Sequence, residues 1–202
     1  MSDDRPSLAD QRDVETVYQP AEDSKLLADT VLGHVEGSDR VLDAGTGSGY
    51  LARRLLEESG AQVVGSDLNP HACRQAREAG VPVVRANLLD PFQAGVFDVV
   101  AFNPPYLPTD ADREWDDWME TALSGGESGR EVIEPFLDDL RRVLTADGDA
   151  FVLVSSLTGI DAVRDDARTN GLTTMEATSE SHSFERLVVL HLRPSRGGSA
   201  PD

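Results

Sequence analysis

Asn103-Pro104-Pro105-Tyr106 follows the apolar run FDVVAF (97–102) and limits the possible chemistry more narrowly than any other part of the chain. Two consecutive prolines cannot extend a strand, so they freeze the backbone just past its carboxyl end. At such a corner the Asn103 side-chain oxygen and the Pro104 carbonyl are two acceptors for a planar –NH₂ group, whose lone pair is delocalised and poorly nucleophilic. Held by both, that nitrogen lies in line with an electrophile and loses its conjugation more readily as attack begins. Tyr106 can stack on the flat group. No strong base is required, because the nitrogen becomes acidic once it is substituted and sheds its proton to water or a nearby carbonyl. Histidines 34, 71, 182 and 191 are scattered and read as surface or strand residues.

A second constellation is DAGTGSG (43–49), placed where a strand hands over to a helix, the position at which open α/β sheets bind nucleotide-like ligands. Gly45 and Gly47 let the backbone turn tightly and approach a ligand, and Gly49 permits close packing at the helix start. The next strand ends at Asp67, where an acid takes up ribose hydroxyls. Two cofactors fit this pattern. Gly47 to Ala52 can be read as the dinucleotide fingerprint, whereas Asp43 under a G-x-G-x-G turn suits S-adenosylmethionine. A carboxylate at Asp43 would oppose a pyrophosphate and favour a sulfonium or amino group, so the methyl donor is preferred; Asp43 could equally serve as a turn or cap carboxylate.

Strands and helices must alternate to position these residues. The periodicity predicts helices over 21–35, 50–59, 70–79, 130–144 and 161–169, and strands over 40–45, 61–67, 81–86, 97–102, 149–156, 173–180 and 185–192. That alternation means an α/β fold: a seven-stranded, mostly parallel sheet covered by helices on both faces. The closely spaced last pair adds one antiparallel strand at an edge. The chain reads as a single domain over 1–202, with frayed ends at 1–11 and 194–202 and a long polar insertion at 107–129 that belongs to the site. Within it, Trp115 and Trp118 are expected to pack the insertion down.

The 202 residues suit one domain with a real core. Against 37 acidic residues stand 18 basic ones, a formal net charge of −19, and Lys25 is the sole lysine. Naked nucleic acid is therefore a poor partner, although at molar salt the Debye length of about 3 Å weakens that argument. Such an acidic, lysine-poor surface fits a proteome adapted to very high salt. No stretch reaches the roughly 18 apolar residues of a membrane helix, and Met1–Asp10 lacks the pattern of a signal peptide. The single cysteine, Cys73, excludes an intramolecular disulfide or a cysteine-cluster metal site and fits a reducing, cytoplasmic setting.

At these residues the chain resembles the HemK-type class I methyltransferases, in particular their short archaeal and eukaryotic branch. The resemblance spans roughly Val17 to Leu192. Besides NPPY it includes VYQPAEDS (17–24), similar to the branch's V-Y-x-P-A-E-D-[ST], and GGESGREV (125–132), similar to its G-G-x-x-G-R-E. Read from its residues alone, 17–24 is a capped helix start, with Pro20, Glu22 and Asp23 at the amino end; it could also fold over the donor as a lid. Arg130 and Glu131 would open the following helix and shape the acceptor pocket.

The resemblance implies methyl transfer from S-adenosylmethionine, leaving S-adenosylhomocysteine, to the glutamine side-chain amide in the Gly-Gly-Gln loop of a class 1 translation release factor. It implies donor contacts at Ser24, Asp43, Gly45, Asp67, Asn87 and Leu88, with the Asn87 side-chain oxygen accepting from the adenine amino group, and an acceptor site at Asn103, Pro104, Pro105 and Tyr106. It further implies a heterodimer with a small zinc-binding activator docked on the third strand, whose edge would present Val81, Val83, Val84 and Arg85. Rival readings are an adenine-amino methyltransferase of DNA or RNA, a protein-lysine methyltransferase, a nicotinamide oxidoreductase and a non-catalytic scaffold. The oxidoreductase reading leaves NPPY without a role, an intact donor turn beside an intact NPPY argues against a scaffold, and no added target-recognition domain supports the first.

Overall fold

The computed structural model describes residues 17–108, 118 and 122–195. Of the frayed ends expected at 1–11 and 194–202, only Pro194 and Ser195 fall within the described residues, and Pro194 is the last residue of a strand; most of the insertion, Trp115 included, lies outside the described residues. In chain order the elements are α1 (Glu22–Leu32), β1 (Arg40–Ala44), α2 (Tyr50–Glu58), β2 (Gln62–Asp67), α3 (Pro70–Glu78), β3 (Val83–Arg85), β4 (Phe97–Phe102), α4 (Ile133–Val143), β5 (Leu144–Ser155), α5 (Ile160–Thr169), β6 (Leu172–Ser181) and β7 (Arg186–Pro194). Among the described residues, no helix is long and apolar enough to cross a membrane.

The seven strands lie in the order β3-β2-β1-β4-β5-β7-β6. Pairs β3–β2, β2–β1, β1–β4 and β4–β5 are parallel, and β7 runs antiparallel between β5 and β6. Short return connections force that reversal, since a parallel crossover needs a dozen or more residues. Strand periodicity divides the apolar side chains between two faces. Val41, Val63, Val99, Ala101, Phe151 and Leu153 pack under α1, α2 and α3. Leu42, Ala44, Val100, Phe102, Val152 and Val154 pack with Ile133, Phe136, Leu137 and Leu140 of α4. The Phe102 and Phe136 rings lie 4.3 Å apart between centroids. Burying each such ring stabilises the fold by about 1.5–3 kcal/mol, and Phe102 immediately precedes Asn103, so the NPPY corner starts from an immobile residue.

Several boundaries differ from the periodicity. The third strand is only Val83–Arg85; Val81 lies outside it, fully buried, its backbone N–H bonded to the Ala76 carbonyl at 3.0 Å. Val81 is therefore a core residue and not part of the sheet edge: Pro82 lacks the N–H a longer ladder would need. Helix α4 begins at Ile133, because Arg130–Val132 complete a loop, and β5 starts at Leu144 directly after it.

Candidate active site

Gly45, Thr46, Gly47 and Ser48 line one wall of a cleft of about 240 Å³ at the carboxyl ends of β1, β2 and β4. The glycine turn bends into α2 through a left-handed Gly49 (φ +82°), and a Cβ there would stand 3.0 Å from the Ala76 backbone and 3.2 Å from Val81. Gly49 thus stays out of the cleft lining and instead lets α2 press on α3. Gly47 faces the opposite way, and a Cβ on it would meet nothing nearer than the Tyr18 carbonyl at 3.9 Å.

Asp43 is buried beneath this turn. Its Oδ2 accepts from the Thr46 hydroxyl at 2.6 Å and from the Ala52 backbone N–H at 3.1 Å, so it caps the first turn of α2. Burial pushes its carboxyl up to about 7, against the lowering effect of the Thr46 and Ala52 bonds. Asp67, at the end of β2, accepts from Gly47 N–H at 2.9 Å and Asn69 N–H at 2.8 Å, and burial raises its carboxyl as well. Two carboxylates under a cluster of backbone amides suit a ligand with a cationic end and hydroxyls, and oppose a phosphate-bearing one.

Further along the cleft Asn87 gives its Nδ2 to Asp90 at 3.4 Å, which leaves its Oδ1 as an acceptor. Leu88 beside it has φ +47°, a left-handed conformation rare for a side chain of this size, and it lines the cleft with Leu68. Strain of this kind, on the order of 1–3 kcal/mol, clusters where ligands are held. Trp118, expected to pack the insertion, lines the cleft instead.

The acceptor end is organised by a residue that spacing did not single out. Asp23, 4 % exposed, accepts at Oδ2 from Asn103 Nδ2 at 3.1 Å and from the Tyr18 hydroxyl at 3.2 Å, and at Oδ1 from Ser24 N–H at 2.6 Å. An ionised carboxylate only accepts, so the Asn103 –NH₂ must face it and the amide oxygen must face away. Asn103 Oδ1 is buried with no hydrogen-bond partner. A buried acceptor left unsatisfied costs about 1–3 kcal/mol, and an incoming donor relieves that cost. The segment 17–24 is therefore both a helix start and a wall: Val17, Tyr18, Pro20 and Ser24 line the cleft.

Asn103 and Pro105 line the cleft, while Pro104 is buried outside the lining. Tyr106 is partly buried against the apolar layer beneath α1 and α2, outside the lining, so the structure does not bring its ring to the stacking position expected of it. Its phenol is held above the ordinary range by burial and by the Asp23 charge. The glycine loop shapes the pocket only indirectly. Leu107 N–H donates to the Leu123 carbonyl at 3.0 Å, and Gly125 N–H donates to the Leu107 carbonyl at 2.9 Å, which clamps the chain just past NPPY. A Cβ on Gly126 would fall 2.0 Å from the Glu131 carboxyl carbon, so only glycine admits that carboxylate. Arg85 on β3 turns its Nε to the Leu68 carbonyl at 3.0 Å, tying the edge strand to a cleft-lining loop.

The cleft thus sets two carboxylates, the buried Asp43 and the part-buried Asp67, beside a carboxamide whose oxygen is buried without a partner. The methyltransferase domain family matches residues 41–126. MJ0928 of Methanocaldococcus jannaschii, assigned by name to protein N5-glutamine methylation, is 33 % identical over 181 residues, 87 % of this chain and 90 % of that protein. The chain belongs to the HemK-type methyltransferases. Methyltransferase HEMK2 of Mus musculus is 28 % identical over 193 residues, covering 89 % of this chain and 90 % of its own. Among solved structures, the E. cuniculi Mtq2–Trm112 complex responsible for methylating the eRF1 termination factor superposes with a TM-score of 0.74 at 30 % identity, over 89 % of this chain and 99 % of that one. The methyl donor of this methyltransferase is S-adenosylmethionine, and its fold is the Rossmann-like fold of class I enzymes.

Proposed function

We propose that this methyltransferase transfers a methyl group from S-adenosylmethionine to the side-chain amide nitrogen of the glutamine in the Gly-Gly-Gln loop of a class 1 translation release factor. The observation that carries this reading is Asn103 Oδ1, buried, unpartnered and aimed by Asp23. When bound, S-adenosylmethionine supplies an electrophilic methyl on a sulfonium. Asp43 and Asp67 would hold its charged and hydroxylic ends, Gly45 and Gly47 would let the backbone approach it, and Ser24, Asn87 and Leu88 would complete its enclosure. Asn103 Oδ1 accepts one N–H of the acceptor amide and draws electron density onto the nitrogen, the Pro104–Pro105 corner fixes the approach, and the N–H proton leaves to water. Tyr106, packed against the apolar layer beneath α1 and α2, would hold the corner in place. A glutamine amide matches this single acceptor better than a lysine ammonium, which carries three donors and no plane.

The same reading makes the chain the catalytic subunit of a heterodimer with a small zinc-binding activator, working in the cytoplasm where translation terminates. The two-partner assembly of the E. cuniculi relative supports it, as does the short β3 edge, where Val84 is exposed and Val83 half-buried. Labelled S-adenosylmethionine, incubated in high salt with the purified chain, with and without activator, and with either release factor or DNA, tests the assignment. Mass spectrometry is expected to find label on the Gly-Gly-Gln glutamine alone, lost on Asn103→Ala. Label on DNA, or activity retained in that variant, overturns it.

A further inference from the structure

Three loops leave the sheet at the end where the cleft opens, and each carries one large apolar side chain into water. Leu107, after β4, is 37 % exposed; Leu157, after β5, is 47 % exposed; Phe184, between β6 and β7, is 95 % exposed. The three loops are bonded to one another. Ser156 N–H donates to the Arg186 carbonyl at 2.8 Å and Arg186 N–H to the Ser156 hydroxyl at 3.0 Å, which joins the Leu157 loop to the Phe184 hairpin. Arg130, from the loop that clamps Leu107, gives its Nη1 to the Thr158 carbonyl at 2.9 Å. On the cleft side, the His182 ring lies 3.3 Å from the carboxylate of Glu22, the neighbour of Asp23. Single exposed apolar residues need no explanation, but three on one bonded rim at the cleft end of the sheet do.

The charge of this rim points to what covers it. Glu22 and Glu180 hold largely exposed carboxylates on either side of His182. Glu185 bonds Ser155 Oγ at 2.6 Å and lies close enough to Tyr18 and Tyr106 to raise both phenols. The nearby cations are already engaged, Arg186 by Glu176 and the Ser179 hydroxyl, and Arg130 by Glu134 and the Thr158 carbonyl. Apolar surface ringed by carboxylates complements an apolar side chain flanked by lysine or arginine.

We propose that Leu107, Leu157 and Phe184 form the docking surface for the acceptor protein, which seats an apolar side chain flanked by Lys or Arg there while its glutamine enters the cleft. The proposal rests on the glutamine reading above and extends it: the enzyme selects a folded protein and not merely a Gly-Gly-Gln sequence. A glutamine side chain buries too little surface to select one protein, so discrimination must come from outside the cleft, and an exposed aromatic is the residue type that most often anchors such contacts. Contacts made equally in ground and transition states lower KM without raising kcat.

Steady-state kinetics on the intact release factor and on a short peptide spanning its Gly-Gly-Gln loop test this. The double variant Phe184→Ser/Leu157→Ser, with donor binding unchanged as its folding control, is expected to raise KM for the intact factor about 10-fold. Its kcat on the factor and its kcat/KM on the peptide stay at the wild-type values. Glu180→Gln is expected to weaken the salt dependence of KM for the factor while leaving the peptide unaffected. An unshifted KM for the factor, or an equal loss on factor and peptide, overturns the surface while the glutamine reading stands. Wild-type enzyme that, assayed with its activator, labels neither substrate overturns both.

Discussion

A carboxamide has two ends of similar shape and opposite polarity, and Asp23 decides which end of Asn103 is left without a partner and so, in the proposed reaction, would meet the substrate. Asp23→Asn removes the acceptor-only partner, so the Asn103 amide can turn and offer its –NH₂ to the cleft. Because misplacement by about an ångström costs on the order of 10²-fold, kcat for release-factor methylation is expected to fall about that far while calorimetry finds donor affinity unchanged. An unchanged kcat would refute the orienting role. Asp43 lends itself to a pH test. Burial raises its carboxyl to about 7, so it is largely neutral below that pH and charged above it. A cationic ammonium binds the charged form, so affinity for S-adenosylhomocysteine is expected to strengthen between about pH 6 and about pH 8 and to level off beyond. Asp43→Asn should bind weakly and without that pH dependence. The place of Asn103 at a stiff corner beside the cleft was legible from its neighbours in the chain; its contact with Asp23 was not, because Asp23 lies 80 residues away in sequence and reads locally as an ordinary acid in the first turn of a helix.

At the scale of elements, the edge of the sheet carries the sharpest expectation. β3 offers three residues, paired to β2 through Val83 with Gly65, Val84 with Ser66 and Arg85 with Asp67, and among the described residues no strand pairs with its other side. A charge on that edge should repel an added apolar partner while the core behind it, Val81 included, stays packed. Val84→Asp is expected to abolish activator binding in a pull-down while calorimetry still detects S-adenosylhomocysteine binding; equal loss of both would argue against docking at this edge. The alternation of strands and helices was readable from apolar periodicity, and FDVVAF coincides with β4 from end to end. The ends of β3 and α4 were not. Pro82 shortens the one ladder, and in the other case the Glu131–Gly126 contact holds Arg130–Val132 in a loop that their composition alone would let join the helix.

For the molecule as a whole, the net charge of −19 sets how stability responds to salt. Its exposed ion pairs, such as Arg54–Asp29 and Arg168–Asp165, are each worth about 0–1 kcal/mol and weaken with salt, whereas repulsion among the unpaired carboxylates is summed over the entire surface. Screening should therefore stabilise more than it costs, and the midpoint of thermal unfolding is expected to rise as salt goes from about 0.1 M to about 2 M, where the Debye length shrinks from about 10 Å to a few ångströms. A falling midpoint would show that the pairs dominate. The chain's sequence by itself determined the α/β order, the glycine turn over Asp43 and the proline corner at Asn103, because each depends on backbone preferences expressed within a few residues. Only the tertiary structure decided that Asp23 aims Asn103, that Val81 belongs to packing, that Tyr106 stands outside the cleft and that Phe184 joins two leucines on one rim. Those outcomes depend on which distant segments the sheet order brings within about 3 Å of one another, and hydrogen bonds of that length leave no periodicity in the chain.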